Sequence, residues 1–155
     1  KIKIGGTQDR IPLLSQMLAL VDGKVPLVIE LKGDPGHDDG LVAAVARELS
    51  GYDGQAAIMS FEHPHLRRCA KDAPGIPVGL TAEGVHDPDI EAHFSMLAHG
   101  ISFVSYNVYH LPNRFVSVVR GRLSLPVITW TVRNEDTLKK TLEHADQATF
   151  EGFAA

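Results

Sequence analysis

The sequence predicts a parallel α/β fold, and three observations carry that prediction. Short apolar runs, rich in Val and Ile and bounded by Gly, Pro or Asp, recur along the chain as strands buried on both faces do. Stretches with helical spacing lie between them. The runs begin near residues 27, 57, 77, 102, 127 and 148, so each strand with its helix takes about 20 to 30 residues, the length a parallel crossover needs.

The elements follow in order. Leu14, Met17, Leu18 and Val21 line one face of a helix entered through Pro12. Six strands are expected at 25–31, 56–61, 76–80, 101–106, 126–132 and 148–153. Leu41, Val42, Val45, Ala46 and Leu49 form a helical face after Asp38 and Asp39, and Ile90, Phe94, Leu97 and Ala98 form another after Pro88. Shorter helices fit 64–70, 112–119 and 135–143, the last with Asn134 as its N-cap. Two architectures accommodate this pattern, an open doubly wound sheet and a (β/α)8 barrel. No Gly-x-Gly-x-x-Gly follows the first strand and no Walker loop occurs, the features an open nucleotide-binding sheet most often shows. Six strands are two short of a barrel, so the barrel reading requires two further units in front.

Composition bounds the function. The 155 residues suit one domain, 1–155, or part of one, and 44% hydrophobic with 22% charged residues is the balance of a packed core. With 15 Lys and Arg against 19 Asp and Glu, the net charge of -4 offers no excess of base for a phosphate backbone, which argues against nucleic acid as a partner. A single cysteine, Cys69, excludes an internal disulfide framework or a thiolate zinc site, and reads as a small core residue. No apolar stretch approaches a membrane span, and Lys1-Ile2-Lys3-Ile4-Gly5-Gly6 lacks a signal-peptide core. A cytoplasmic location is expected, with a leader upstream of Lys1 left open. Self-association is left open as well.

Candidate chemistry sits at the strand ends. Val28-Ile29-Glu30-Leu31-Lys32 is an apolar strand that turns polar at its C-terminal end, where parallel α/β proteins build their active-site rim. Glu30 and Lys32 alternate onto one face, a carboxylate suited to a metal and an ammonium suited to an anion. An ion pair at a strand end reads the same way. Trp130, the only tryptophan, ends another buried strand among small polar residues and fits an aromatic wall of the mouth, with Arg133 near an anionic group. Plugging the barrel end is its structural alternative. Glu151 ends the last strand beside Gly152, and Ser60, Phe61, Ser105, Tyr106 and Asn107 end others and could offer a hydroxyl, ring or amide. His63, His65, His86, His93, His99, His110 and His144 show no ligand spacing and read mostly as surface residues. No Gly-x-Ser-x-Gly occurs.

Ile11-Pro12-Leu13-Leu14, Val25 through Lys32, Met59-Ser60-Phe61, Pro126 through Val132, and Phe150-Glu151-Gly152-Phe153 together resemble the glycerophosphodiester phosphodiesterase family, over nearly the whole chain and in order. The resemblance implies a (β/α)8 TIM barrel represented here by its strands 3 to 8. It implies hydrolysis of glycerophosphodiesters to glycerol 3-phosphate and an alcohol, a reaction of lipid and glycerol metabolism, with a divalent cation, Mg2+ or Ca2+. It places Glu30 on the metal, Lys32 at the phosphate and Trp130 at the substrate mouth; Tyr106 and Glu151, read from their strand ends, are expected as further substrate contacts. The family's His-Arg-Gly on its first strand, the Glu-Asn-Thr segment that follows and the His-Asp pair after its second strand, which carry its two proton-transfer histidines and other metal ligands, have no counterparts in the stretch matched here. These 155 residues are therefore expected to be inactive alone, the activity belonging to a longer protein. A sphingomyelinase D-like barrel and a non-catalytic binding or scaffold barrel are the alternatives.

Overall fold

A computed structural model describes residues 2–33 and 40–152. Lys1, Phe153 and the acids at 38 and 39 lie outside them. The elements are α1 (Leu14–Val21), β1 (Leu27–Glu30), α2 (Leu41–Leu49), β2 (Ala56–Ser60), α3 (His63–Asp72), β3 (Val78–Ala82), α4 (Asp87–Met96), β4 (Phe103–Asn107), α5 (Arg114–Gly121), β5 (Val127–Val132), α6 (Glu135–His144) and β6 (Gln147–Phe150). Short 3-10 turns at Leu97–His99 and Val108–His110 extend α4 and β4. The second was not foreseen, nor was the antiparallel bridge between Lys3 and Arg10.

The strands stand in the order β1-β2-β3-β4-β5-β6, each parallel to the next. An open doubly wound sheet reverses its strand order at a switch point. This one never does, and it curls into a half-barrel with helices outside.

Alternation gives the sheet two faces. One packs on the helices: Ile58, Leu80, Val104 and Tyr106 meet Leu66, Ile90, Met96 and Phe115 in a core whose members are nearly inaccessible to water. Between β4, α4 and α5 the rings of Tyr106, His93 and Phe115 pack at centroid distances of 5.5 to 6.2 Å. Cys69 belongs to this core, and burial pushes its thiol up to about 11, so at neutral pH it is an inert apolar residue. The other face turns into the barrel. There Phe103 stands level with Gly79 on β3, and a Cβ at Gly79 would lie 2.2 Å from the Phe103 ring. The glycine is thus the space the phenylalanine occupies.

The sequence located all six strands to within a few residues, but burial on both faces holds for the inner strands only. β3 is buried throughout, whereas Val28 on β1 and Phe150 on β6 stand about half exposed at the two sheet edges. Helix α6 is capped as its sequence indicates, Asn134 Oδ1 accepting the Thr137 N–H at 3.0 Å. Asn113 does the same for α5 through Val116 N–H at 2.9 Å, which moves that helix to start two residues later than expected.

Gly79→Ala should force the Phe103 ring out of place and lower unfolding free energy by about 1–3 kcal/mol. Urea unfolding checks this, and the added substitution Phe103→Leu should return part of the loss.

Candidate active site

All six strands present their C-terminal ends to one rim. The register sorts the residues there. Glu30 is level with Met59, Met59 with Gly79, and Gly79 with Phe103, so Glu30 lies on the inner face. Ser105 is level with Thr81 and Ile128, and Asn107 with Trp130, on that same face by alternation. Lys32, Phe61 and Glu83 follow two residues beyond inner-face positions.

Glu30 closes β1 with its Oε1 buried and without a hydrogen-bond partner among the described residues. The Lys32 Nζ stands 3.4 Å away, at ion-pair distance but without hydrogen-bond geometry. The lysine side chain is 78% exposed and the glutamate 24%. With the ammonium largely in solvent, the attraction is screened on that side and its contribution to stability is limited. The ion pair that the sequence also allowed is present.

Across the mouth, the half-buried Trp130 meets Phe61 edge to face, with ring centroids 5.3 Å apart and planes at 80°. The indole N–H donates to the Ser105 carbonyl at 3.1 Å. A ring held at both edge and nitrogen makes a fixed apolar wall, with its polar handle satisfied. Beside it Asn107 Nδ2 donates to Glu83 Oε2 at 2.9 Å, while Asn107 Oδ1 accepts the Tyr109 N–H at 3.0 Å. Glu83 escaped the sequence reading; its place two residues after Thr81 on an alternating strand was the available signal. At the β6 edge Arg133 Nε donates to Glu151 Oε1 at 2.7 Å, both side chains largely in solvent. The anion expected near Arg133 is thus met within the chain.

Tyr106 requires a correction. It is fully buried, turned to α4 and α5 with the helix-facing residues, and its hydroxyl donates to the Gly84 carbonyl at 2.7 Å. Alternation gives the rim Ser105 and Asn107 and keeps the residue between them away from it. Burial, with Asp89 and Glu83 nearby, pushes the phenol up to about 12, which keeps it a neutral donor to the loop carrying Glu83. Ser60 likewise faces α3 rather than the mouth.

The histidines also differ from expectation. Of those described, only His86 is exposed; His65 and His93 are buried and the rest half-buried. An imidazole body packs as an aromatic ring does, and helix faces turned to the sheet demand such packing. Burial lowers the pKa of His93, the neighbouring His63 adding to the effect, and burial with Arg67 lowers that of His63. None of the rim side chains described above is a histidine.

A cleft of about 600 Å³ lies at the opposite end, against the turns leading into β1 and β2, among Leu18, Asp22, Gly23, Glu48, Tyr52 and Gly54. It contains none of the rim residues.

No family model matches the sequence, and no curated protein matches it significantly. Solved structures do match. A protein assigned as a glycerophosphodiester phosphodiesterase from Galdieria sulphuraria superposes with a TM-score of 0.76 at 18% identity, over 97% of this chain and 63% of its own. One assigned as a glycerophosphoryl diester phosphodiesterase from Silicibacter pomeroyi gives 0.72 at 22%, over 88% and 52%. An Oleispira antarctica phosphodiesterase, solved with the product sn-glycerol-3-phosphate, gives 0.72 at 18%, over 90% and 57%. At these identities the likeness shows the fold: the chain has the architecture of part of a (β/α)8 barrel, as these proteins do, spanning about half to two thirds of the length of the structures it matches.

Because the folded protein holds His63 and His93 below their ordinary range, the unfolded chain takes up more protons as pH drops below about 6.5. Stability from these groups is present above that pH and is lost on acidification. The urea midpoint should fall between pH 7.5 and 5.5, and His93→Leu should make that fall smaller.

Proposed function

We propose that the chain forms the phosphate-facing part of a metal-dependent phosphodiesterase that hydrolyses glycerophosphodiesters to glycerol 3-phosphate and an alcohol. The observation that carries this reading is the Glu30–Lys32 pair, a half-buried carboxylate whose buried Oε1 accepts no hydrogen bond among the described residues and faces only a solvent-exposed ammonium, on the inner face of the rim. The likeness in fold to phosphodiesterases, one of them solved with sn-glycerol-3-phosphate, supports it.

A divalent cation fits here to the extent of one ligand. Hard cations take six to eight oxygens, and the buried Oε1 of Glu30, ion-paired to Lys32 but accepting no hydrogen bond among the described residues, is one such donor. Among the described residues no group of three or more acidic, histidine or cysteine side chains gathers at one place, so other ligands would come from elsewhere in the barrel. When bound, Mg2+ or Ca2+ supplies Lewis-acid polarisation of the phosphoryl oxygens.

The chain's own residues do the rest of the binding. Lys32, a compact charge on a flexible stem, meets a phosphate oxygen and offsets the charge that grows there as water adds to phosphorus and the bond to the alcohol oxygen breaks. Trp130 and Phe61 face the alcohol or glycerol portion and exclude water from one side. Glu151, held by Arg133, accepts a substrate hydroxyl with its remaining lone pairs. Tyr106 acts only through the loop it anchors. The proton transfers belong to histidines that the family carries ahead of this stretch. No helix among the described residues is long and apolar enough to cross a membrane, and a small-molecule substrate suits the mouth.

Hydrolysis of a chromogenic phosphodiester by the full-length protein, with and without chelator, tests the reading. Turnover should need the metal, and Glu30→Gln should lower it by orders of magnitude while leaving the fold intact. Trp130→Ala should raise KM more than it lowers kcat. Metal-independent turnover, or unchanged activity and metal affinity in Glu30→Gln, would remove the assignment. Binding of substrate without turnover would identify a scaffold.

A further inference from the structure

The β1 ladder ends at the level of Glu30 and Met59, and the next residue is fastened from both sides. The Leu31 N–H donates to the Met59 carbonyl at 2.8 Å, and the Leu31 carbonyl accepts from the Ser60 hydroxyl at 2.7 Å. Ser60 is fully buried, and its oxygen also accepts the Glu62 N–H at 3.0 Å. A hydroxyl has one proton, and here it goes to Leu31. The His65 Nδ1, 3.4 Å from the same oxygen, therefore approaches it favourably only as an N–H donor. The His65 Nε2 is buried and has no hydrogen-bond partner among the described residues. It lies against Gly33, where a Cβ would stand 2.6 Å from Cε1 and 3.0 Å from Nε2 of the ring. The main chain at 31–33 is thus tied to the serine and rests on the imidazole.

We propose that Ser60 and His65 are positioning residues for Glu30 and Lys32. This rests on the assignment of those two side chains to metal and phosphate. They flank Leu31, so any rotation of the Leu31 or Lys32 backbone would swing the ammonium relative to the carboxylate. The bond to Ser60 removes the first freedom, and the contact between Gly33 and His65 restricts the second. Charges fixed before the substrate arrives need no reorganisation when the reaction demands them. The helix-side pair, though it touches neither substrate nor metal, sets the geometry of the groups that do.

Three measurements on the full-length protein test this: the Mn2+ dissociation constant by electron paramagnetic resonance, amide exchange at Leu31, and kcat and KM. Supporting layers around metal ligands change affinity by about 10–100-fold when removed, so Ser60→Ala should weaken Mn2+ binding about 10-fold. It should also lower kcat with KM nearly unchanged and speed exchange at Leu31, while Ile29 and Ile58 keep their protection. Gly33→Ala should act the same way by pressing on the ring. Adding His65→Asn, which keeps an N–H donor for Ser60 in a smaller side chain, should recover much of that loss. A folded Ser60→Ala protein with lowered melting temperature but wild-type Mn2+ affinity and Leu31 exchange would overturn the proposal, as would a Gly33→Ala defect that His65→Asn leaves untouched. If Ser60→Ala does not fold, the Gly33–His65 pair decides. If the unaltered protein binds no Mn2+, the Glu30 assignment fails by itself, and Leu31 exchange in Ser60→Ala decides the positioning role: faster exchange upholds it and unchanged exchange overturns it.

Discussion

The two-residue period of a parallel strand is the constraint on which the rest of this molecule depends. Once Ile58, Leu80 and Val104 are committed to the helices, their neighbours at Met59, Gly79 and Phe103 must face the interior, and the in-register pairing carries that choice from strand to strand. Glu30 reaches the rim because it stands level with Met59. A slip of one residue in β1 would place Glu30 on the helix side of the sheet and leave the apolar Ile29 in its stead.

That same constraint separates what the sequence disclosed from what it hid. Strands and helices were legible because each has a strong local signal: apolar runs between turn residues, and faces such as Val42, Val45 and Leu49. Glu30, Lys32 and Trp130 were legible because polar or solitary large residues at the end of apolar runs conflict with plain core packing. Tyr106 was misjudged since a tyrosine between serine and asparagine carries no mark of which face it takes; only the pairing of β4 with β3 and β5 decides. The histidines were misjudged for a related reason. Their burial depends on which helix side meets the sheet, and α4 has so little hydrophobic contrast between its sides that His93 could not be assigned to the core from spacing. The Ser60–Leu31 bond spans 29 residues, and nothing local announces it.

Polar groups in the molecule divide by depth. On the helix side, buried hydroxyls pair with one another or with main chain, as in the 2.7 Å contact of Thr129 with Thr141 and the bond from Tyr106 to Gly84. On the rim, charges pair in solvent, where each pair adds little to stability and remains able to exchange its partner for a ligand. A fold arranged this way keeps its rigidity away from the mouth and its replaceable interactions within it.

The indole of Trp130 has a consequence for observing the protein. As the sole tryptophan, it is the only source of emission when excitation is set beyond tyrosine absorption. Its nitrogen is bonded to a carbonyl and its ring abuts Phe61 in the half-buried mouth, so its spectrum reflects the polarity of that one place. The wavelength maximum and quantum yield would therefore register whatever enters the mouth, without a label, while the distant cleft near Tyr52 would remain optically silent.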